Sequence, residues 1–141
     1  MSNCKHGEAI GAFMRYVEVF ERLDPQAIAS YYNEPALLIS PQGIASLPTS
    51  AYVEQFFDSV MADLKAQGYA RSEFPRLAEH YLSNELALVS GVGVWKKASG
   101  EQLRRFGLTY TLRRTLQSWR IVVATIHDEN SALFFHDAHT V

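Results

Sequence analysis

Hydrophobic residues fall at helical spacing in the first half of the chain and at strand spacing in the second. In residues 8–23, Ile10, Phe13, Met14, Val17 and Phe20 make an apolar stripe opposite Gly11, Arg15, Glu18 and Arg22, which predicts an amphipathic helix. Glu18 and Arg22 stand four apart in the favourable order. Asp24-Pro25 offers an N-cap and a first-turn proline for a short second helix running to about Tyr32. Pro35 ends it, and residues 36–40, Ala-Leu-Leu-Ile-Ser, read as a short strand stopped by the turn Pro41-Gln42-Gly43. A third helix opens after Pro48, capped by Thr49 or Ser50. Val53, Phe56, Phe57, Val60, Met61 and Leu64 form its stripe, and Gly68 closes it.

Beyond Phe74 the period changes to two. Residues 76–82, 86–97, 103–115 and 119–127 read as strands joined by the turns Ser83-Asn84-Glu85, Ala98-Ser99-Gly100 and Leu116-Gln117-Ser118. Links this short force antiparallel pairing. The order predicts an α+β fold, with helices packed on one face of a curved antiparallel sheet. In residues 86–95 both faces are apolar, and Gly91 and Gly93 lie on one of them. Helices cover one face, so the other asks for a second subunit. In the next strand Phe106, Leu108, Tyr110 and Leu112 alternate with Arg105, Gly107, Thr109, Thr111 and Arg113. This second apolar row strengthens the expectation of a homodimer packed sheet to sheet.

Composition narrows the function classes. The 141 residues suit one domain, with a core over residues 8–128 and a tail over 129–141. A net charge of −2 argues against a nucleic-acid binder, and no apolar run is long enough for a membrane span. The first residues lack the apolar segment of a signal peptide. Cys4 is the lone cysteine, which fits a reducing cytoplasm and shows no cue for thiolate activation. Charge is nonetheless segregated. Between Leu86 and Ile126 lie Lys96, Lys97, Arg104, Arg105, Arg113, Arg114 and Arg120 against Glu101 alone. Either these cations pair with acids elsewhere or they make an anion-binding surface; the balance over the whole chain favours pairing.

The stretch MRYVEVFERLDPQAIASYYNEPALLISPQG, residues 14–43, resembles the opening of ketosteroid isomerases and SnoaL-like proteins of the nuclear transport factor two-like superfamily. It shares their Arg-Tyr-Val start, Asp24 between helices, the Ala27-Ile28 pair, the tyrosine-rich helix end and the strand-Pro-x-Gly exit. Ser118-Trp119-Arg120 extends the likeness into the meander. The resemblance implies a cone of curved sheet wrapped around N-terminal helices, cystatin-like, with a pocket at the wide end and a dimeric assembly. It does not imply one activity, because the superfamily mixes enzymes with binding proteins. Carried over by position, the isomerase's oxyanion tyrosine falls on Tyr16 and a supporting tyrosine on Tyr32. A third network member falls on Phe57, the general base on Ser40, the second oxyanion donor near Gly107, and a pocket aromatic on His127. Both carboxylates are missing, and a serine hydroxyl without a partner base cannot enolise a ketone. Tyr16 and Tyr32 also have a plain core reading, each hydroxyl satisfying the other.

His127-Asp128 could orient an imidazole for acid–base work, or be half-buried polar residues at a strand end. His80 has no such support. Residues 134–139, Phe-Phe-His-Asp-Ala-His, carry metal-like ligands without a second cluster at a recognised spacing. No phosphate loop or nucleophile elbow occurs. The expected protein therefore takes no metal or cofactor. It binds a small apolar molecule in a pocket made by Tyr16, Tyr32, Ser40, Phe57, Gly107 and His127. The alternatives are a metal-independent cyclase, dehydratase or isomerase using Tyr16 and His127, and a non-catalytic dimeric interaction module.

Overall fold

The computed structural model describes residues 7–116 and 118–133. Helix α1 spans Glu8–Phe20 and α2 spans Pro25–Ala29. Strands β1, Tyr32–Ser40, and β2, Gly43–Leu47, form a hairpin that leads into α3, Ser50–Gln67. Strands β3, Tyr69–Tyr81, β4, Leu86–Lys97, β5, Gln102–Arg114, and β6, Trp119–His127, complete one curved six-stranded sheet in the order β2-β1-β6-β5-β4-β3. All pairs are antiparallel except β1 with β6, which run parallel because the whole of α3 to β5 separates them in the chain.

Local chemistry sets the helix ends. The Asp24 carboxylate accepts hydrogen bonds from the Gln26 and Ala27 amides at 3.1 and 3.3 Å, which starts α2. Thr49 Oγ1 accepts from the Tyr52 amide at 3.4 Å, which starts α3. Gly68, at φ 86°, ends it in a conformation that costs a side chain dearly. On α1 the face turned to the sheet carries Phe13, Tyr16, Val17 and Phe20, whereas Met14 is 37% exposed. The second helix is shorter than expected: it stops at Ala29, and Tyr32 and Pro35 belong to β1. Strand β2 was not foreseen; only Leu47 of its five residues is buried, so alternation is hard to see.

Strand β3 begins at Tyr69 rather than Arg76, since its pairing with β4 slips between Glu73 and Arg76. The slip contains Pro75, which cannot donate to a ladder and belongs at such a bulge. Just beyond it, Leu77 pairs with Gly91. A Cβ there would come within 2.1 Å of the Arg76 carbonyl oxygen, so the folded-over β3 backbone leaves no room for any side chain.

The row Phe106, Leu108, Tyr110 and Leu112 packs inward in the same core as α1 rather than forming an outer face. On the opposite face of β4, Ser90, Val92 and Val94 are already buried within one chain. Leu86 on the same face stays 38% exposed, so this row is covered only in part within one chain. No helix among the described residues is long and apolar enough to cross a membrane.

The Gly91 contact generates a stability test. Gly91→Ala should lower unfolding free energy by roughly 1–3 kcal/mol, the range for a core overpacking clash, as read from urea denaturation. A loss under about 0.5 kcal/mol, typical of a neutral surface change, would mean that β3 does not fold over this position.

Candidate functional site

At the end of the sheet where β1, β4 and β6 finish and β3 and β5 begin, the inner face does not meet the helices completely. A cavity of about 190 Å³ remains. Helix α1 lends it Phe13, Tyr16, Val17 and Phe20, and α3 lends Phe56, Phe57 and Val60. Trp95, Phe106, Leu108, Tyr110 and Ile126 form much of the sheet wall. The polar groups at its border are few: Ser40 and Gln42 from the β1–β2 hairpin, Ser72 from β3 and Arg104 from β5. An apolar cavity of about 150 Å³ in another protein admits benzene, so this one has room for a ring compound.

Tyr16 closes the cavity on the helix side. Its hydroxyl and that of Tyr32 lie 2.7 Å apart. The Tyr16 ring meets Tyr32 edge-on at 5.6 Å, and Tyr32 in turn packs on Phe57 at 5.7 Å. Burial pushes both phenols well above their ordinary value, so both are neutral at physiological pH. Neither phenol can then serve as a base. Tyr110 is pushed up in the same way by burial. Among the described residues no carboxylate, imidazole or thiol lines the cavity.

Of the six residues expected at the pocket, Tyr16, Ser40 and Phe57 line the cavity. Tyr32 stands behind Tyr16 as its hydrogen-bond partner. Ser40 Oγ accepts from the Gln42 amide at 3.2 Å and donates to Gln42 Oε1 at 3.1 Å, so the hydroxyl is engaged in its own hairpin. Gly107 and His127 are on the other face of the sheet. They pair directly across β5 and β6, and a Cβ on Gly107 would lie 2.6 Å from His127 Nδ1 and 2.3 Å from the Asp128 carbonyl. Gly107 is thus small to admit this end of the chain, not to admit a ligand.

The displacement of His127 has a single cause. Leu112 pairs with Ile121 but Thr111 pairs with Val123, so Val122 is an extra residue in β6. Before it, odd-numbered Trp119 and Ile121 face the core; after it, even-numbered Ala124 and Ile126 do. His127 therefore faces outward. Its Nε2 lies 2.8 Å from Thr109 Oγ1, which is 2.8 Å from Ser90 Oγ; Nδ1 lies 2.7 Å from the Asp128 carbonyl. Ser90 Oγ also donates to the Leu108 carbonyl and accepts from the Leu133 amide. This polar chain fastens the segment after β6 onto the sheet.

Arg104 was missed as a pocket residue, although the alternation that begins at Phe106 assigns it to the inner row when extended by one step. The other basic residues of this region mostly pair within the chain: Lys96 with Glu73, Lys97 with Glu101, Arg105 with Glu129 and Arg114 with Glu8. His80 is exposed on β3. Cys4 and residues 134–139 lie outside the described residues, and among the described ones no group of three or more His, Cys, Asp or Glu side chains is placed to hold a metal.

The model for the family described as NTF2-like protein (DUF6841) matches residues 7–129. The chain belongs to this family. Solved structures with the same architecture agree. The NTF2-like protein is similar to one from Novosphingobium aromaticivorans with a cystatin-like fold, at 20% identity and a TM-score of 0.69 over 94% of this chain and 83% of that one. It is similar to a protein of unknown function from Nostoc punctiforme, at 13% identity and a TM-score of 0.71 over 92% and 97% of the two chains. A ketosteroid isomerase-like protein from Erwinia carotovora matches at 17% identity and a TM-score of 0.62 over 88% and 97%. At these identities the NTF2-like protein shares a fold with them and nothing further follows. Among curated proteins none matches the sequence.

Two outcomes follow from the tyrosines and Ser40. Five of the seven tyrosines have phenols held above the ordinary value of 10.0, with burial the main cause, and Tyr69 is pushed up to about 12. A raised folded value means that stability is intact below pH 10, the unfolded value, and is lost as pH rises through the folded values. Ultraviolet titration should show these phenols ionising together with loss of circular dichroism; ionisation of all seven near the ordinary value with the fold intact would contradict the burial. The second outcome concerns catalysis. Steroid double-bond isomerisation should stay at background, since Ser40 holds the base position without a partner base; turnover clearly above a protein-free control would contradict this.

Proposed function

We propose that this NTF2-like protein binds a small, largely apolar ring-containing molecule between α1, α3 and the inner face of the sheet. The observation that carries the reading is the composition of the cavity wall: aromatic and aliphatic side chains, a few polar groups at the border, and no general base among the described lining residues. Apolar cavities with sparse, convergent polar groups are the usual form of small-molecule sites. Burying the two faces of a ring against such a wall removes apolar area from water at about 25 cal/mol per Å². The wall is also ready before the ligand arrives. Phe20 meets Phe57 and Tyr69 edge-on at 6.3 and 5.9 Å, and Trp95 meets Phe106 at 5.1 Å, so the rings brace one another.

Catalysis by Tyr16 with His127 has no support in this geometry. The two stand on opposite faces of the sheet, and one substrate cannot touch both. The neutral phenols of Tyr16 and Tyr110 can donate or accept a hydrogen bond, which suits orientation of a bound polar group.

Binding is tested with naphthamide, a neutral two-ring probe. At about one hundred times its dissociation constant it should stabilise the protein by about 2.7 kcal/mol, visible as a raised melting temperature. Val60→Trp, which puts an indole into the cavity, should abolish the shift while leaving circular dichroism unchanged. Equal shifts in both proteins would place the probe elsewhere and reject the cavity as the site.

A further inference from the structure

Arg104 stands apart from the rest of the cavity border. It continues the inner row of β5, two residues before Phe106, and pairs across the sheet with Trp95. Its guanidinium carbon lies 5.6 Å from the Trp95 ring centre and 5.7 Å from that of Phe106. The position of Phe106 depends on Gly93 opposite it: a Cβ on Gly93 would come within 2.7 Å of the Phe106 ring and 3.0 Å of Phe74. The missing side chain at Gly93 thus lets both rings fold over β4, and Phe106 with Trp95 gives the guanidinium an aromatic bed. Among the described residues no carboxylate pairs with Arg104, whereas Lys96 and Arg105 nearby each have one. Arg104 is also the one cation among the described residues lining the cavity.

Arg104 is exposed and its guanidinium rests beside two rings rather than on an acid, so its N–H groups can meet a carboxylate in a two-point hydrogen bond. One cation at the border of an apolar cavity balances one negative charge. The neutral polar groups there, Ser40, Gln42 and Ser72, add hydrogen-bonding capacity without charge. We propose that the ligand is a small hydrophobic carboxylic acid, bound as the anion, its ring in the cavity and its carboxylate on Arg104. This rests on the cavity reading given above and adds the charge of the ligand to it. The volume of about 190 Å³ restricts the apolar part to one or two rings or a comparably short chain.

Matched probes separate the two ideas. Naphthoate and naphthamide share a ring system and differ in charge, as do phenylpropionate and phenylpropanamide; each is titrated calorimetrically against wild type, Arg104→Gln, Arg104→Lys and Val60→Trp. Each carboxylate should bind wild type about tenfold tighter than its amide, the size of one charge-assisted hydrogen-bond pair. Arg104→Gln should bring the carboxylate to the affinity of the amide and leave the amide unchanged. Arg104→Lys should keep part of the preference, since charge survives and the planar fork does not. Val60→Trp should remove binding of all four probes. Equal affinities for acid and amide in wild type would overturn the carboxylate assignment while leaving the cavity reading intact. The same holds for an equal loss of both in Arg104→Gln, which would make Arg104 a piece of wall. Failure of all four probes to bind wild type would overturn both readings.

Discussion

The hydrogen bond between the Tyr16 and Tyr32 hydroxyls joins α1 to the start of β1 at the point where α3 also arrives through Phe57. Two phenols that satisfy one another need no water and no charge, and so can be buried at little cost. Their rings then act as apolar wall. The position of α1 over the sheet follows from this contact and from the edge-on packing of Phe13 against Tyr110 and Phe74 at 5.2 Å each. With α1 fixed there, the far end of the sheet is left partly unfilled, and that remainder is the cavity. The two tyrosines are here part of the wall of the cavity.

Much of this was legible in the sequence. The turns after Tyr81, Lys97 and Arg114 mark β3 to β6 because each is a short polar break between two runs rich in strand-forming residues. The caps at Asp24, Thr49 and Gly68 mark helix ends because their chemistry is local. What failed was non-local. Pro35 reads as a helix terminator, yet it sits in a strand whose partner, β6, lies nearly ninety positions further along. Strand β3 hides its first half behind a bulge. Ser40 lines the cavity next to the tight β1–β2 turn, which fixes the register of its end of β1.

The site was half legible for the same reason. Tyr16 and Phe57 come from regular helices, and Ser40 follows an irregularity in β1 but sits at the tight β1–β2 turn. His127 comes after Val122, and an extra residue in a strand cannot be recognised from a run such as Ile-Val-Val-Ala-Thr-Ile, where every side chain suits either face. Arg104 could have been found by parity alone. It was passed over because an arginine on an apolar row looks like the end of the row, although its stem and flat face pack well on tryptophan and phenylalanine.

The extra residue in β6 has a bearing on how such a site can diversify. Deleting Val122 would only restore plain alternation and leave Ala124 and Ile126 inside, whereas straightening the bulge with every residue kept would turn Thr125 and His127 to the interior and Ala124 and Ile126 to the surface. The interior would gain a titratable ring without any substitution in the cavity wall itself. On this sheet a change of pairing alone can therefore exchange an apolar lining for a titratable one, and alignments that count identities alone would not register the difference.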